Sequence, residues 1–154
     1  MDIGIVEEDR KAIAESLSTF LADTYTLYLK THGYHWNVTG PMFRTLHLMF
    51  EEEYLELALA VDEIAERIRA LGHYAPASFN HYNELSTIDS DDTVPGALKM
   101  VAGLVEGHEA VARAARRTLE VAEEAGDAVT VDLATRRLDV HEKTAWMLRS
   151  LLEG

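Results

Sequence analysis

Along almost the whole chain, apolar residues recur at intervals of three and four, the period of an amphipathic helix. Glycine and proline interrupt the pattern at only a few places, and these breaks predict four long helices. The first runs from about Glu8 to about Gly33. Val38-Thr39-Gly40-Pro41 is a tight connection, with Pro41 suited to the first turn of the second helix, which continues to Leu71-Gly72. Residues 73–94 form the one long polar connection, and SFNHYNEL within it predicts a short extra helix. The third helix begins near Pro95 and stops at Ala125-Gly126; the fourth runs from about Asp127 to Leu152. Four such helices, with one long connection between the second and third, predict an all-α bundle rather than a simple up-down meander.

The second helix carries the most information. Phe43, Leu46, Phe50, Tyr54, Leu57, Val61, Ile64, Ile68 and Leu71 fall in one stripe, the face expected to fill the bundle core. Glu52, Glu56, Glu63 and Arg67 fall in a solvated stripe, where Glu63 and Arg67 have the spacing of an i,i+4 ion pair. A third stripe holds His47, Glu51, Asp62 and Glu66, with Leu48, Leu55, Ala58 and Leu59 on or beside it. A helix apolar on two faces must bury both, so the second face is expected to meet another subunit.

Glu51 and Asp62 lie about 16 Å apart along the helix axis, too far to share a metal within one chain. The pairs His47/Glu66 and Glu51/Asp62 are nevertheless symmetric about one midpoint, between Glu56 and Leu57. An antiparallel twofold copy of this helix therefore brings His47 to Glu66 and Glu51 to Asp62, closing two identical sites at once. Surface polar residues at i,i+4 are common, but Asp62 and Glu66 repel one another at that spacing unless a cation compensates.

Composition narrows the function. The 154 residues carry a formal net charge of -13 and no cysteine. That excludes disulfides and thiolate metal sites, and the acidic surface favours cations over phosphate backbones. With no basic tail at either end, direct DNA binding is not expected. No secretory signal or membrane span is evident, which predicts a cytoplasmic protein.

HWNVTGPMF at 35–43, FRTLHLMFEEEY, VDEIAERIRALG and HEKTAWML at 141–148 together resemble the Dps miniferritin family, over nearly the whole chain. The resemblance implies a single ferritin-like Dps domain over residues 1–154. It also implies a hollow dodecamer of twofold dimers that oxidises Fe(II), preferentially with hydrogen peroxide, and stores the ferric product. The family's ferroxidase ligands fall on His35, His47, Glu51, Asp62 and Glu66, two irons per centre, the last two carboxylates coming from the twofold mate. The position of Glu51 is Asp in many relatives. Imidazole and carboxylate donors suit non-haem iron, and zinc could take the same ligands. The chain has no Glu-x-x-His, the i,i+3 pattern of an intrasubunit ferritin site.

Other residues carry two readings each. Trp36 is either a packing anchor or an oxidisable neighbour of the iron, and His32 reads as a surface or outer-sphere residue rather than a ligand. His108 and His141 sit on apolar stripes (Leu98, Val101, Leu104, Val111, Ala115; Leu138, Ala145, Leu148, Leu152) and read as hydrogen-bonded core histidines, with a second metal site as the alternative. Glu123, Glu124, Asp127 and Asp132 cluster between helices three and four, where capping and solubility explain acids cheaply. By the resemblance, Asp127 and Asp132 line threefold pores that admit iron. The rival functions are DNA compaction and a structural shell or antigen with a vestigial metal site.

Overall fold

The computed structural model describes residues 1–90 and 92–153. It contains α1 (Glu7–Asn37), α2 (Phe43–Ala70), α3 (Phe79–Leu85), α4 (Ala97–Glu124) and α5 (Ala128–Ser150). The four long helices form a ferritin-like four-helix bundle, and α3 is the short extra helix of the long connection. Helix α1 packs on α2 and α4, α4 packs on α5, and α3 lies against α1.

The helix ends follow local chemistry. Gly72 (φ 93°) and Gly126 (φ 70°) stand just past α2 and α4, in the left-handed region that glycine enters freely. At each, the next residue's N–H reaches back into the last helical turn: His73 to the Ile68 carbonyl at 3.3 Å, and Asp127 to Ala122 at 2.9 Å. This is the Schellman arrangement, which satisfies carbonyls the helix leaves open. Ser78 caps α3 by accepting from the His81 N–H at 3.2 Å.

Gly33 does not stop α1, which continues one turn further to Asn37. Glycine costs a helix interior only about 1 kcal/mol, and the buried Tyr34 and Val38 hold that turn against the core. Helix α2 begins two residues after Pro41, which belongs to the preceding turn.

The core stripe of α2 is buried at Leu46, Phe50, Leu57, Ile64, Ile68 and Leu71. Phe43 departs from it: at the first residue of the helix, beyond the reach of the bundle, it is 45% exposed. Leu98 and Leu152, near the outer ends of α4 and α5, are exposed for the same reason. The expected Glu63–Arg67 pair does not form. Arg67 turns instead to Asp127 and Thr130, and Glu63 pairs with Arg136. A partner on a neighbouring helix end wins here because Asp127 is buried and needs its charge compensated.

Asp23, fully buried on α1, anchors the long connection. Its carboxylate accepts from the Ser86 hydroxyl at 2.9 Å, the Thr87 N–H at 2.6 Å and the Thr87 hydroxyl at 2.8 Å. Asp23→Ala is expected to cost about 3 kcal/mol, because hydrogen bonds to a charged group are worth roughly twice neutral ones. Urea unfolding measures the loss. Limited proteolysis should show cleavage between residues 86 and 90 before the bundle opens, and an unchanged midpoint would remove Asp23 from this role.

Candidate metal centre

The extension of α1 to Asn37 places His35 inside its last turn, opposite His47 in the second turn of α2. The two rings stack with centroids 3.8 Å apart and planes 15° apart. Each also binds the other's backbone: His35 Nδ1 donates to the His47 carbonyl at 2.8 Å, and His47 Nδ1 donates to the His35 carbonyl at 2.7 Å. A carbonyl oxygen only accepts, so both Nδ1 atoms must carry the proton. In each neutral ring this leaves the lone pair on Nε2, the tautomer a metal needs. Phe43 stacks on the outer face of His47, with centroids 5.1 Å apart, which gives its exposed ring a place at the site.

Glu51 lies on the same face one turn after His47, half-buried; Asp62 and Glu66 lie exposed further along α2. Among the described residues none of these three carboxylates has an ion pair or hydrogen bond, and no three or more potential ligands cluster as a metal site within one chain. The structure thus brings His35 and His47 together, with Glu51 beside His47, and keeps Asp62 and Glu66 at a distance. Leu48, Leu55 and Leu59 between the two ends stand exposed, Leu59 at 76%. An apolar stripe flanked by unpaired carboxylates has the character of an uncovered interface.

One residue near the site, Tyr54, was not singled out by sequence. Tyr54, placed with the core stripe, is only half-buried, and its ring lies 5.1 Å from that of His35 and 4.2 Å from that of His32. Its position seven residues after His47, two turns along the same side, was the available signal. His32 lies between Tyr54 and Trp36 with its ring tilted to both, the latter at 4.0 Å. Trp36 itself is 60% exposed, so it does not anchor the core of its own chain.

Glu53 was also passed over, because it sits among four acids. It is buried and faces the bundle interior, and burial, with Glu52 adding, pushes its carboxyl up to about 8. Neither of its oxygens has a hydrogen-bond partner; His108 Nε2 lies 4.0 Å away. His108 and His141 are hydrogen-bonded core histidines, as expected, and bond to each other through Nδ1 atoms 2.9 Å apart. Arg137 donates to His141 Nε2 at 3.0 Å and pairs with Glu56 on its other side. Because Arg137 can only donate, His141 must present its Nε2 lone pair and donate from Nδ1 to His108. His108 then carries its proton on Nε2, aimed at Glu53. This polarity gives no nitrogen lone pair to a metal.

At the α4–α5 junction Asp127 is only 2% exposed. It caps α5, accepting from the Thr130 N–H at 3.2 Å, and takes two 2.8 Å contacts from Arg67. Burial alone raises its carboxyl, but the bonds from Arg67 and Thr130 and the Arg67 charge outweigh that and hold it below the usual range. The cap and the ion pair account for Asp127 within its own chain. Asp132 is exposed, on a shallow depression with Glu123 and Thr135, and pairs with Arg136 at 2.8 Å.

A long-helix bundle with a histidine and carboxylate face defines the ferritin-like class, and residues 14–154 match the Ferritin family model, described as a ferritin-like domain. The chain is 39% identical to DNA protection during starvation protein 2 of Bacillus anthracis, with 92% of this chain and 97% of that protein covered. It is 42% identical to an uncharacterized low temperature-induced protein of Nostoc, over 100% of this chain and 87% of the other. The structure of a Vibrio cholerae Dps protein, described as belonging to a broad superfamily of ferritin-like diiron-carboxylate proteins, superposes with a TM-score of 0.94 at 35% identity. It covers 98% of this chain and 95% of its own. The chain belongs to the Dps family of ferritin-like proteins.

Proposed function

We propose that this protein is an iron-detoxifying and iron-storing miniferritin, a ferroxidase whose centres form between subunits of a homododecamer. The observation that supports this best is the mutual lock between His35 and His47, which fixes two rings in the tautomer that offers Nε2 to a cation. Glu51 supplies a carboxylate from the same chain, and Asp62 and Glu66 come from the twofold mate. Fe(II) is the substrate, two ions per centre, and Zn(II) competes for the same donors.

The chain's part in the reaction is positional. Holding two Fe(II) close together lets one hydrogen peroxide take an electron from each, so its O–O bond breaks without releasing hydroxyl radical. Peroxide is the preferred oxidant in this reading, and the ferric ions hydrolyse to oxyhydroxide stored inside the shell. This protects against oxidative stress without contact with DNA, which a surface of net charge -13 does not attract at physiological salt. Among the described residues no helix is long and apolar enough to cross a membrane, and a cytoplasmic site of action fits this reading.

Anaerobic Fe(II) titration followed by peroxide or oxygen tests the reading. Expected are saturation at two Fe(II) per centre, two Fe(III) formed per peroxide, and much slower oxidation by oxygen. An absence of saturable binding would overturn it.

Iron entry is proposed at threefold pores. Asp127 is buried against Arg67, so the field that draws Fe(II) inward falls to Asp132, repeated three times around each pore, whose pair with the likewise exposed Arg136 is weakened by water. Asp132→Asn is expected to slow uptake several-fold and flatten its dependence on ionic strength, because screening acts on the field that steers the cation. Stopped-flow measurements at several salt concentrations check this, and an unchanged salt slope would place entry elsewhere.

A further inference from the structure

From the candidate centre a string of aromatic rings runs away along α1. Tyr54 adjoins His35; beyond it come Tyr28 at 6.2 Å, Tyr25 at a further 5.7 Å, and Tyr82 on α3 at a further 4.8 Å, all between ring centroids. Trp36 joins the same string through His32, which lies 4.0 Å from Trp36 and 4.2 Å from Tyr54. The last pair differs from the others. Tyr25 and Tyr82 are stacked, with planes 26° apart, whereas Tyr54–Tyr28 and Tyr28–Tyr25 meet edge to face.

Packing alone explains a cluster of aromatic rings, since edge-to-face pairs are favourable beyond the burial of their area. Packing does not explain why every ring after His35 is tyrosine. Among the described residues none of the four phenol oxygens is bonded to another residue of the chain, so no contact within the chain calls for tyrosine over phenylalanine. What phenylalanine lacks is an accessible one-electron oxidation, in which the phenol loses an electron and a proton together. All four rings are half-buried, so that proton has a route to water.

We propose that Tyr54, Tyr28, Tyr25 and Tyr82 form a one-electron relay that supplies an electron to the ferroxidase centre when only one Fe(II) is bound, with the stacked Tyr25–Tyr82 pair as its reservoir. The proposal rests on the ferroxidase reading above. Hydrogen peroxide needs two electrons, and a single Fe(II) gives one. A tyrosine gives the other: the O–O bond breaks, the phenol proton and one proton from solvent complete two waters, and Fe(III) and a phenoxyl radical remain. Electron transfer from ring to ring moves the radical outward, where stacking spreads it over two rings. The next Fe(II) returns one electron, a proton returns from solvent, and the tyrosine is restored as that iron becomes Fe(III). The relay therefore removes the hydroxyl radical that a half-filled centre would otherwise release.

Two measurements test this, and the first needs no iron. In iron-free protein carrying Trp146→Phe, azide radical generated by pulse radiolysis oxidises Trp36, and transient absorption follows the tryptophan radical converting to tyrosyl radical. Tyr54→Phe should slow that conversion at least tenfold, and Tyr28→Phe should confine the radical to Tyr54; equal rates and yields in all three proteins would overturn the relay. The second adds one Fe(II) per centre and then peroxide, with freeze-quench electron paramagnetic resonance and spin trapping of hydroxyl radical. Wild type should show a tyrosyl signal that Tyr25→Phe/Tyr82→Phe alters, and Tyr28→Phe should raise trapped hydroxyl radical several-fold. A signal and trapping yield indifferent to these substitutions would overturn the proposal. Conversion in the first measurement without Fe(III) formation in the second would keep the relay and reject the ferroxidase reading.

Discussion

Shells assembled from a mixture of Asp62→Ala and His47→Ala subunits should regain Fe(II) oxidation that neither variant shows alone. In a pure Asp62→Ala dimer both centres lack the mate's aspartate, and in a pure His47→Ala dimer both lack a histidine. A mixed dimer sorts the losses: one centre has His47 from one chain and Asp62 from the other, and the second centre lacks both. Random reassembly at equal amounts makes roughly a quarter of all centres whole, so activity should return to about that fraction of wild type. Each pure variant should fall a hundredfold or more, because losing one ligand of an intersubunit set also leaves its neighbours misplaced. Rates per iron bound, measured after unfolding and co-refolding, check this. Failure to recover activity in correctly assembled mixed shells would place the centre within one chain.

Replacing the buried histidine pair by glutamine, His108→Gln/His141→Gln, should transform how stability depends on pH. Burial, then the Arg137 charge, pushes His108 down to about 3 from an ordinary 6.5. His141 is pushed well below 6.5 by burial, His108 and Arg137. Just below pH 6.5 the unfolded chain therefore takes up protons on both rings that the folded chain resists. Folded stability drops as pH falls, by at most about 1.4 kcal/mol per pH unit for each histidine. Glutamine can still accept from Arg137 and does not titrate. Between pH 6.5 and 4.5 the difference in unfolding free energy between variant and wild type should move in the variant's favour, by about 1 kcal/mol per pH unit from His108 and further in the same direction from His141.

Glu53 acts in the opposite sense. Its folded value of about 8 lies above the unfolded 4.5, so its stabilisation is complete below 4.5 and lost as pH rises toward 8. Because it faces His108 at 4.0 Å, the comparison is made with Glu53→Gln in both proteins, which removes its contribution from the difference. Iron-free protein in chelator, unfolded by urea across this range, gives the measurement. A constant difference would mean that the histidines are not buried neutral.

The helices were legible because their signal repeats over many turns, and the short α3 was legible from its flanking polar residues. The end of α1 was not, since Gly33 reads as a stop and only the packing of Tyr34 and Val38 carries the helix past it. The symmetric spacing of His47, Glu51, Asp62 and Glu66 lies in one helix and could be read there. The ring-to-backbone bonds of His35 and His47 join two helices, and nothing in either segment announces them. Arg67 shows the same limit: Glu63 is the acid one helical turn away, and Asp127, sixty residues on, binds it instead. Glu53 was hidden because a run of glutamates reads as solvated, whereas the helix turns one of them inward.

The crossed bonds between His35 and His47 make the end of α1 and the start of α2 a single mechanical unit. Each ring is held by the other residue's main chain, so neither ligand can swing out while the other stays. Fraying of the last turn of α1 would remove the acceptor for His47 and displace His35 in the same event, and the proposed centre would lose both imidazoles together. Occupancy by a cation must then resist that fraying, which turns the loose terminus of a long helix into part of a clasp. The turn at residues 38–42 becomes its hinge, and in the proposed centre the half-life of bound metal would be set by how often that clasp opens.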